Sequence, residues 1–173
     1  MSVRVLLITG TVGVGKSTIA AAINDVLAER RIPNAAVDLD SLVWQWPPDS
    51  PWNHRLMLDN LAAIWPNFAA RGVTHLVLAR VLEDRAELDD YRTVIPGAEI
   101  TVCRLVADEV LRVDRLLARM PPGPSRDWHL ARTVELDRAL DQVAVADLTV
   151  RNDARDIADV ALEILAAIGW ITS

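Results

Sequence analysis

The sequence has little of what several classes of protein require. Its 173 residues include one cysteine, Cys103, so a disulfide framework within the chain is excluded. Acidic residues outnumber basic residues by 24 to 18, and no basic cluster offers a surface for a nucleic-acid backbone. No apolar run approaches the roughly 18 residues needed to cross a bilayer. We therefore expect a soluble cytoplasmic protein that binds neither nucleic acid nor membrane.

Histidine is also scarce, and His54, His75 and His129 lack the spacing of metal ligands. The remaining composition is typical of a globular domain, with 51% hydrophobic and 24% charged residues. The length predicts one domain over residues 1–173. Cys103 lies within the apolar run 100–106, which predicts a buried side chain rather than a reactive thiol.

Only seven glycines are present, yet three of them stand close together in a G-x-x-x-x-G-K-[ST] motif. The motif follows the apolar run 3–8 and precedes an alanine-rich helical pattern. Glycine lets the backbone of such a turn adopt conformations closed to other residues, so that successive N–H groups point at phosphate oxygens. The motif predicts a nucleotide-binding phosphate loop made of Gly10, Thr11, Val12, Gly13, Val14, Gly15, Lys16, Ser17 and Thr18.

Two side chains at the end of the phosphate loop have predicted roles. Lys16 can reach the β- and γ-phosphates of ATP and act in catalysis, while the Ser17 hydroxyl can bind the Mg²⁺ that bridges them. The helix that opens at about residue 16 adds unpaired N–H donors and the positive end of its dipole. ATP and Mg²⁺ are therefore the predicted cofactors.

Strand and helix patterns alternate along the rest of the chain. Apolar runs predict five strands, at 3–8, 35–37, 75–79, 100–106 and 148–150. Helical spacing predicts helices at 16–30, 53–71, 83–91, 110–119, 128–143 and 157–168, with Pro66 bending or interrupting the second. This alternation predicts an α/β fold with a parallel sheet and helices on both faces.

A pair of aspartates follows the second predicted strand. Asp38 and Asp40 stand at its carboxyl end, the edge where open α/β sheets bind ligands. Because residues i and i+2 of a strand share a face, both carboxylates can point toward the phosphate loop. One could hold a water of Mg²⁺ and the other could orient an attacking hydroxyl. The structural alternative is that Asp40, followed by Ser41, caps a helix.

The third predicted strand lacks an aspartate at its end. It continues into Arg80, and the next acidic residues are Glu83 and Asp84. A Walker B carboxylate is therefore not evident, which assigns the metal role to Asp38. It also disfavours a motor-type or switch-type NTPase.

Arginines flank a proline-rich loop predicted at 121–124. A guanidinium on a mobile loop can close over ATP and neutralise the transferred phosphoryl group. We predict a lid over residues 120–127 in which Arg126 acts, because the prolines bar it from a continuous helix. Arg119 is the alternative lid residue. Arg112 fits a solvated helix face instead.

Six tryptophans against one phenylalanine and one tyrosine form an unusual aromatic balance. Trp65 and Trp170 stand at helical core spacing and are predicted to pack in the interior. Trp44, Trp46 and Trp52 follow the aspartate pair. They could wall an acceptor pocket, or each could be core.

These motifs resemble those of the small P-loop kinases: shikimate kinase, gluconate kinase, adenylyl-sulfate kinase and chloramphenicol phosphotransferase. The shared features are GxxGxGKST at 10–18, D-x-D at 38–40 and an arginine-bearing lid before the last strand. The resemblance covers nearly the whole chain and implies a P-loop NTPase fold, with a five-stranded parallel sheet ordered 2-3-1-4-5.

The shikimate-kinase pattern also implies roles for individual residues. Asp38 matches the aspartate that holds a magnesium water, and Asp40 matches the base-like aspartate that binds the acceptor. The other matches are Arg115 beside adenine, Arg126 in the lid, Arg132 on the acceptor, and Asn152 to Arg155 as the adenine loop. Shikimate itself is not expected, because Leu78-Ala79-Arg80-Val81 replaces the family's glycine triplet after strand three.

We therefore predict an ATP-dependent kinase that transfers the γ-phosphoryl group to a small-molecule acceptor. Trp44, Arg80 and Arg132 join Asp40 as predicted acceptor-site residues. One alternative is a nucleoside or nucleoside monophosphate kinase that uses Arg80, Arg85 and Arg132 on an acceptor phosphate. Another is a regulatory module that binds ATP and hydrolyses it slowly or not at all.

Overall fold

A computed structural model describes residues 2–172 of the chain. Five parallel strands form one sheet in the order β2-β3-β1-β4-β5, which confirms the predicted architecture. The strands are β1 (Val3–Thr9), β2 (Asn34–Asp38), β3 (His75–Ala79), β4 (Ala98–Val106) and β5 (Leu148–Arg151).

Within residues 2–172, six α-helices cover both faces of the sheet; the first five lie between strands and the sixth follows β5. They are α1 (Lys16–Glu29), α2 (His54–Ala69), α3 (Leu88–Val94), α4 (Glu109–Arg119), α5 (Pro124–Gln142) and α6 (Ile157–Ala167). Short 3-10 turns occur at Leu39–Leu42, Pro51–Asn53 and Arg85–Glu87. No helix in residues 2–172 has the length and apolarity needed to cross a membrane.

The central strand β1 supplies both hydrophobic cores because its side chains alternate between the two faces. Leu6 and Ile8 pack in the core formed with α1 and α6. Val5 and Leu7 pack in the opposite core, which α2, α3 and α5 complete. This double burial explains the unbroken apolar run of β1 and fixes the carboxyl end of the strand, where the phosphate loop begins.

The main difference from the predicted elements lies before α5. This helix begins at Pro124 rather than at residue 128, so the loop between α4 and α5 is only Met120–Gly123. Proline suits the first position of a helix, where its missing N–H has no partner to lose. The expectation that the prolines keep Arg126 out of a continuous helix is therefore wrong, because Arg126 lies in the first turn of α5.

Helix α2 shows a second difference. It continues through Pro66 to Ala69 without the predicted interruption. Pro66 lacks the N–H that would donate to the Ala62 carbonyl oxygen, so the helix loses one bond there and ends three residues later. Other core predictions are confirmed, since Trp65, Trp170 and Cys103 are all buried.

Candidate functional site

The phosphate loop joins β1 to α1 through three glycines with positive φ. Gly10, Gly13 and Gly15 have φ values of 139°, 83° and 100°. At Gly10 a Cβ atom would lie 2.5 Å from the Leu105 carbonyl oxygen, and at Gly15 it would lie 2.7 Å from Nδ2 of Asn152. Backbone angle and lack of space both require glycine at these positions.

Lys16 occupies the first position of α1 and turns back over the loop. Its Nζ atom donates to the carbonyl oxygens of Gly10 and Thr11, at 3.0 Å each. The pKa of the ammonium group is lowered to about 8, mainly by burial. Asp40 and Asp38 oppose this shift, and Arg119 adds to it. The loop thus holds a desolvated cation that an anionic ligand would stabilise.

Ser17 and Asp38 meet beside Lys16. The Ser17 hydroxyl donates to Oδ2 of Asp38 at 2.5 Å, and the other carboxylate oxygen accepts from the Asp40 N–H at 3.0 Å. Asp38, not Asp40, therefore caps the 3-10 turn that follows β2. Hydroxyl and carboxylate oxygens are ligands that Mg²⁺ prefers, and phosphate oxygens and water normally complete its octahedron. The pair fits a magnesium ion on this criterion.

Asp40 lies in the turn after β2 and faces the same cavity. Burial raises the pKa of its carboxyl group, while Lys16 and Arg80 act in the opposite direction. Nη1 of Arg80 lies 3.4 Å from Oδ1 of Asp40, and its Nη2 donates to the Trp52 carbonyl oxygen at 3.1 Å. Arg80 is only 6% exposed. It follows β3 directly, where a Walker B carboxylate would stand, and it orients Asp40 from there.

The predicted adenine-binding residues also surround the phosphate loop. Arg115 donates to the carbonyl oxygens of Val14 at 3.3 Å and of Asn152 at 3.0 Å. Nδ2 of Asn152 donates to the same Val14 oxygen at 2.8 Å. Arg155 pairs with Glu163 at 2.6 Å. Arg115, Asn152 and Arg155 all line the cavity beside the loop.

One cavity of about 1490 Å³ joins these groups. We call one part the nucleotide half, because the phosphate loop and the predicted adenine-binding residues line it. We call the other part the acceptor half, after the predicted acceptor-site residues; it is lined by side chains that follow β2 and β3 and by residues of α2 and α5. Of the predicted site residues, it includes Val12, Gly13, Gly15, Lys16, Ser17, Thr18, Asp38, Asp40, Trp44, Arg80, Arg115, Arg132, Asn152 and Arg155. Gly10, Thr11 and Val14 lie buried behind the loop surface instead.

The two candidate lid arginines differ in position. Arg119, at the end of α4, lines the cavity, whereas Arg126 does not. The guanidinium of Arg119 also lowers the pKa of Lys16, which places its positive charge near the phosphate site. Arg85, predicted to serve a phosphate acceptor, donates instead to the Val145 carbonyl and to Asp147, at 2.7 Å each, outside the cavity lining.

Aromatic side chains form one wall of the acceptor half. The sequence leaves Trp52 as either a pocket wall or a core residue. Trp52 and Trp128 have ring centroids 5.7 Å apart, and the guanidinium carbon of Arg132 lies 5.0 Å above the Trp52 ring. Arg132 also pairs with Glu83. Trp128 and Arg132 share a face of α5 as residues i and i+4, but Trp52 comes from the turn before α2 and Glu83 follows β3, so local spacing could not have joined all four. Trp46, one of the three predicted wall residues, lies outside this cavity.

A buried polar network that the sequence did not predict ties the phosphate loop to α4 and α5. Arg112 is 1% exposed and pairs with Asp137 at 2.8 Å, so its assignment to a solvated face is wrong. It also donates to the Thr11 hydroxyl at 3.2 Å. Thr133 contacts that hydroxyl at 2.8 Å and donates to the Val12 carbonyl at 2.7 Å. These buried polar groups therefore bond to one another instead of to water.

Comparison with known proteins identifies the fold. No protein-family model matches the chain, and no curated protein matches it. Solved structures do. A gluconokinase from Sinorhizobium meliloti 1021 is 21% identical, with a TM-score of 0.59 over 96% of this chain and 92% of that one. A shikimate kinase from Acinetobacter baumannii in complex with shikimate is 16% identical, with a TM-score of 0.62 over 98% and 94%.

A third similar structure contains a nucleotide analogue. It is the adenylyl-sulfate (APS) kinase CysC of Mycobacterium tuberculosis in complex with AMPPNP and APS, 16% identical with a TM-score of 0.55 over 97% of this chain and 98% of that one. The protein has the fold of the small P-loop kinases, and the resemblance inferred from its motifs is confirmed at the level of the fold.

Proposed function

We propose that the protein is an ATP-dependent kinase that transfers the γ-phosphoryl group of ATP to a hydroxyl group of a small molecule. The observation that carries the proposal is the placement of two kinds of group in one cavity. Lys16 and the Ser17–Asp38 pair lie on the nucleotide side, and the Asp40 carboxylate faces the acceptor side. A fold shared with known kinases supports the same conclusion.

Different residues bind the nucleotide and accept the proton. Backbone N–H groups of the phosphate loop and the Lys16 ammonium group bind the β- and γ-phosphates. Ser17 and Asp38 would hold Mg²⁺, which, when bound, neutralises phosphate charge. Arg115, Asn152 and Arg155 frame the adenine side.

Asp40 is the proposed base. The acceptor oxygen forms a bond to the γ-phosphorus as the bond from that phosphorus to the β–γ bridging oxygen breaks, and ADP leaves. The hydroxyl proton passes to the Asp40 carboxylate. Burial raises the pKa of Asp40, which strengthens it as a base, and Arg80 fixes its orientation. Arg119 is positioned to approach the transferred group, and Trp44, Arg80 and Arg132 belong to the acceptor half.

A metabolite screen for acceptor-dependent ADP release tests the proposal. The expected result is at least one hydroxyl compound that accelerates ADP release, with the phosphorylated product detected by mass spectrometry. The same compound should not accelerate ADP release by the Lys16→Ala variant. Nucleotide binding without any acceptor-dependent release would instead favour a regulatory module.

A further inference from the structure

The acceptor half carries a second, more specific signal in the backbone of Trp52. This residue has φ 56° and ψ 24°, and the next residue, Asn53, has φ 49°. A bulky side chain such as that of Trp52 is strained in the left-handed region, which asparagine tolerates better. Such strain persists only where the surroundings hold the residue in place.

Buried polar contacts supply that support. Arg80 donates to the Trp52 carbonyl oxygen at 3.1 Å. The side chain of Asn53 donates to the Val43 carbonyl oxygen at 2.9 Å and accepts from the Asp49 N–H at 3.1 Å. Both Arg80 and Asn53 are buried. These bonds hold the Trp52 ring at the cavity wall rather than in a core.

The resulting wall is apolar and accessible. Trp52 is 57% exposed and Trp128 is 44% exposed, and both rings line the cavity. Tryptophan normally buries its large surface, so two adjacent exposed rings in a concave site indicate a ligand that stacks on them. The C–H face of a saturated ring or the face of an aromatic ring suits such a wall.

The charges of the acceptor half disfavour an anionic ligand. Its two well-shielded arginines are already paired, Arg80 with Asp40, and Arg132 with both Glu83 and Glu135. A carboxylate or phosphate on the ligand would have to displace these partners and leave a carboxylate without its arginine.

Two further carboxylates strengthen that bias. Asp90 and Glu87 lie on the same side of the cavity and contact His54, at 3.1 Å and 3.8 Å. The remaining cation in this lining is Arg55, an exposed side chain on α2. Four carboxylates, of Asp40, Glu83, Glu87 and Asp90, therefore face three arginines in this half of the cavity.

We propose that the acceptor is a ring-bearing hydroxyl compound without an anionic group, such as a neutral or aminated sugar or an aromatic alcohol, that stacks on Trp52 and Trp128. The inference rests on the proposed kinase function. Asp40 takes the proton of the reacting hydroxyl, and the Glu83 carboxylate, oriented by Arg132, can accept a hydrogen bond from a second hydroxyl or an ammonium group. Arg80 and Arg132 thus position carboxylates instead of binding an acceptor anion.

Matched compounds test the charge preference. Pyranose, cyclohexane-polyol and benzyl-alcohol scaffolds are each used in neutral, aminated, carboxylated and phosphorylated forms, and binding to the full chain with Mg·ADP is measured by calorimetry. The neutral or aminated form is expected to bind at least roughly tenfold more tightly than its anionic counterparts. A tighter anionic form on any scaffold that binds, or no binding by any ring compound, overturns the proposal.

Variants test the stacking wall and the paired arginine. Trp52→Ala should weaken binding of the preferred compound by roughly tenfold, whereas Trp46→Ala, which removes an 89% exposed ring outside the cavity, should leave it unchanged. Glu83→Gln removes the cavity-lining partner of Arg132 and leaves it only the pair with Glu135, so the variant should shift the preference toward the anionic form by roughly tenfold. Equal effects of the two tryptophan variants, or an unchanged preference in Glu83→Gln, would contradict the assignment.

The two proposals fail in different ways. Ring compounds that bind as described but receive no phosphoryl group contradict the kinase function and leave the acceptor class intact. Transfer to a carboxylated or phosphorylated compound in preference to its neutral form contradicts the acceptor class and leaves the kinase function intact.

Discussion

The nucleotide half and the acceptor half of the cavity are built by different means. The centre of the nucleotide half is the backbone of one continuous segment, the phosphate loop, held by glycine geometry and by buried side chains behind it. The acceptor half consists of side chains from separate elements, held by ion pairs and by a strained turn at Trp52. Under the proposed function, the nucleotide half would bind ATP, which all kinases share, and the acceptor half would bind the molecule in which kinases differ.

The comparison also explains where substitutions should act. If the proposed function is correct, a change in the nucleotide half removes a group that contacts phosphate in every turnover. A change in the acceptor half alters which molecule reacts, or how its proton leaves. The largest effects are therefore expected around the phosphate loop.

Lys16→Ala should cause the largest loss, a decrease in turnover of about 10³-fold, because the variant loses a preorganised cation at the transferred phosphate. The thermal midpoint at pH 7 should not fall, since burial lowers the pKa of Lys16 to about 8 and the charged form is costly to bury. Steady-state kinetics and calorimetry measure the two quantities. Parent-like turnover in a folded variant would contradict the assignment of the loop.

Asp40→Asn should reduce kcat by about 10²-fold or more while changing ATP affinity only a few-fold, because Asp40 acts on the acceptor side. The raised pKa of Asp40 gives a second expectation. In the parent, kcat should fall as the pH falls through that pKa, since the protonated carboxyl cannot take a proton, and Asp40→Asn should lack this limb.

Asp38→Asn is the matched control, because Asp38 stands two residues away and contacts Ser17. It should raise the Mg²⁺ concentration needed for half-maximal activity. If both aspartate variants respond to Mg²⁺ and pH like the parent, the pair serves only to end the strand and cap the turn.

The phosphate loop and the sheet could be predicted because their signals are local. Gly10 to Thr18 is a continuous motif, and the apolar run of β1 reflects burial on both faces. The convergence of Asp38 and Asp40 on the cavity was also expected, although a turn rather than a shared strand face places Asp40 there. The features predicted correctly are therefore those formed by residues close together in the sequence.

The misassigned residues depend on contacts between distant segments. Arg112 looks like a solvated residue on an amphipathic helix until α5 supplies Asp137, which is 25 positions away. The wall of Trp52 and Trp128 requires a turn before α2 to meet α5. Arg126 was misplaced for a local reason, since proline at the start of a helix resembles proline in a loop.

Arg119, a candidate lid arginine, offers a test with a smaller expected effect. Arg119→Ala should lower turnover by roughly tenfold to hundredfold, less than Lys16→Ala, because this side chain is exposed and partly screened. Arg126→Ala, seven residues away and outside the cavity, is the matched control and should have little effect. A greater loss in Arg126→Ala would return the lid role to that residue.

The smallest expected effect concerns the network behind the phosphate loop. Thr133→Val removes the hydroxyl that donates to the Val12 carbonyl and contacts Thr11, in a position with no exposure to water. The Val12 carbonyl oxygen keeps the Thr11 hydroxyl as a donor at 3.1 Å, so the loss is that of a buried hydrogen bond, about 0.5–1.5 kcal/mol in the free energy of unfolding. Because Val12 belongs to the phosphate loop, the KM for ATP should rise a few-fold as well. Urea unfolding and initial rates measure the two effects.

Thr93→Val controls for the loss of a threonine hydroxyl as such, since Thr93 donates to the Asp89 carbonyl oxygen at 2.9 Å on the exposed surface of α3. Water can replace that bond, so the variant should keep parental stability and KM. Equal stability losses in the two variants would mean that the buried network contributes no more than an exposed helix bond. A stability loss in Thr133→Val without any rise in KM would mean that the network stabilises α4 and α5 and leaves the geometry of the phosphate loop to its glycines.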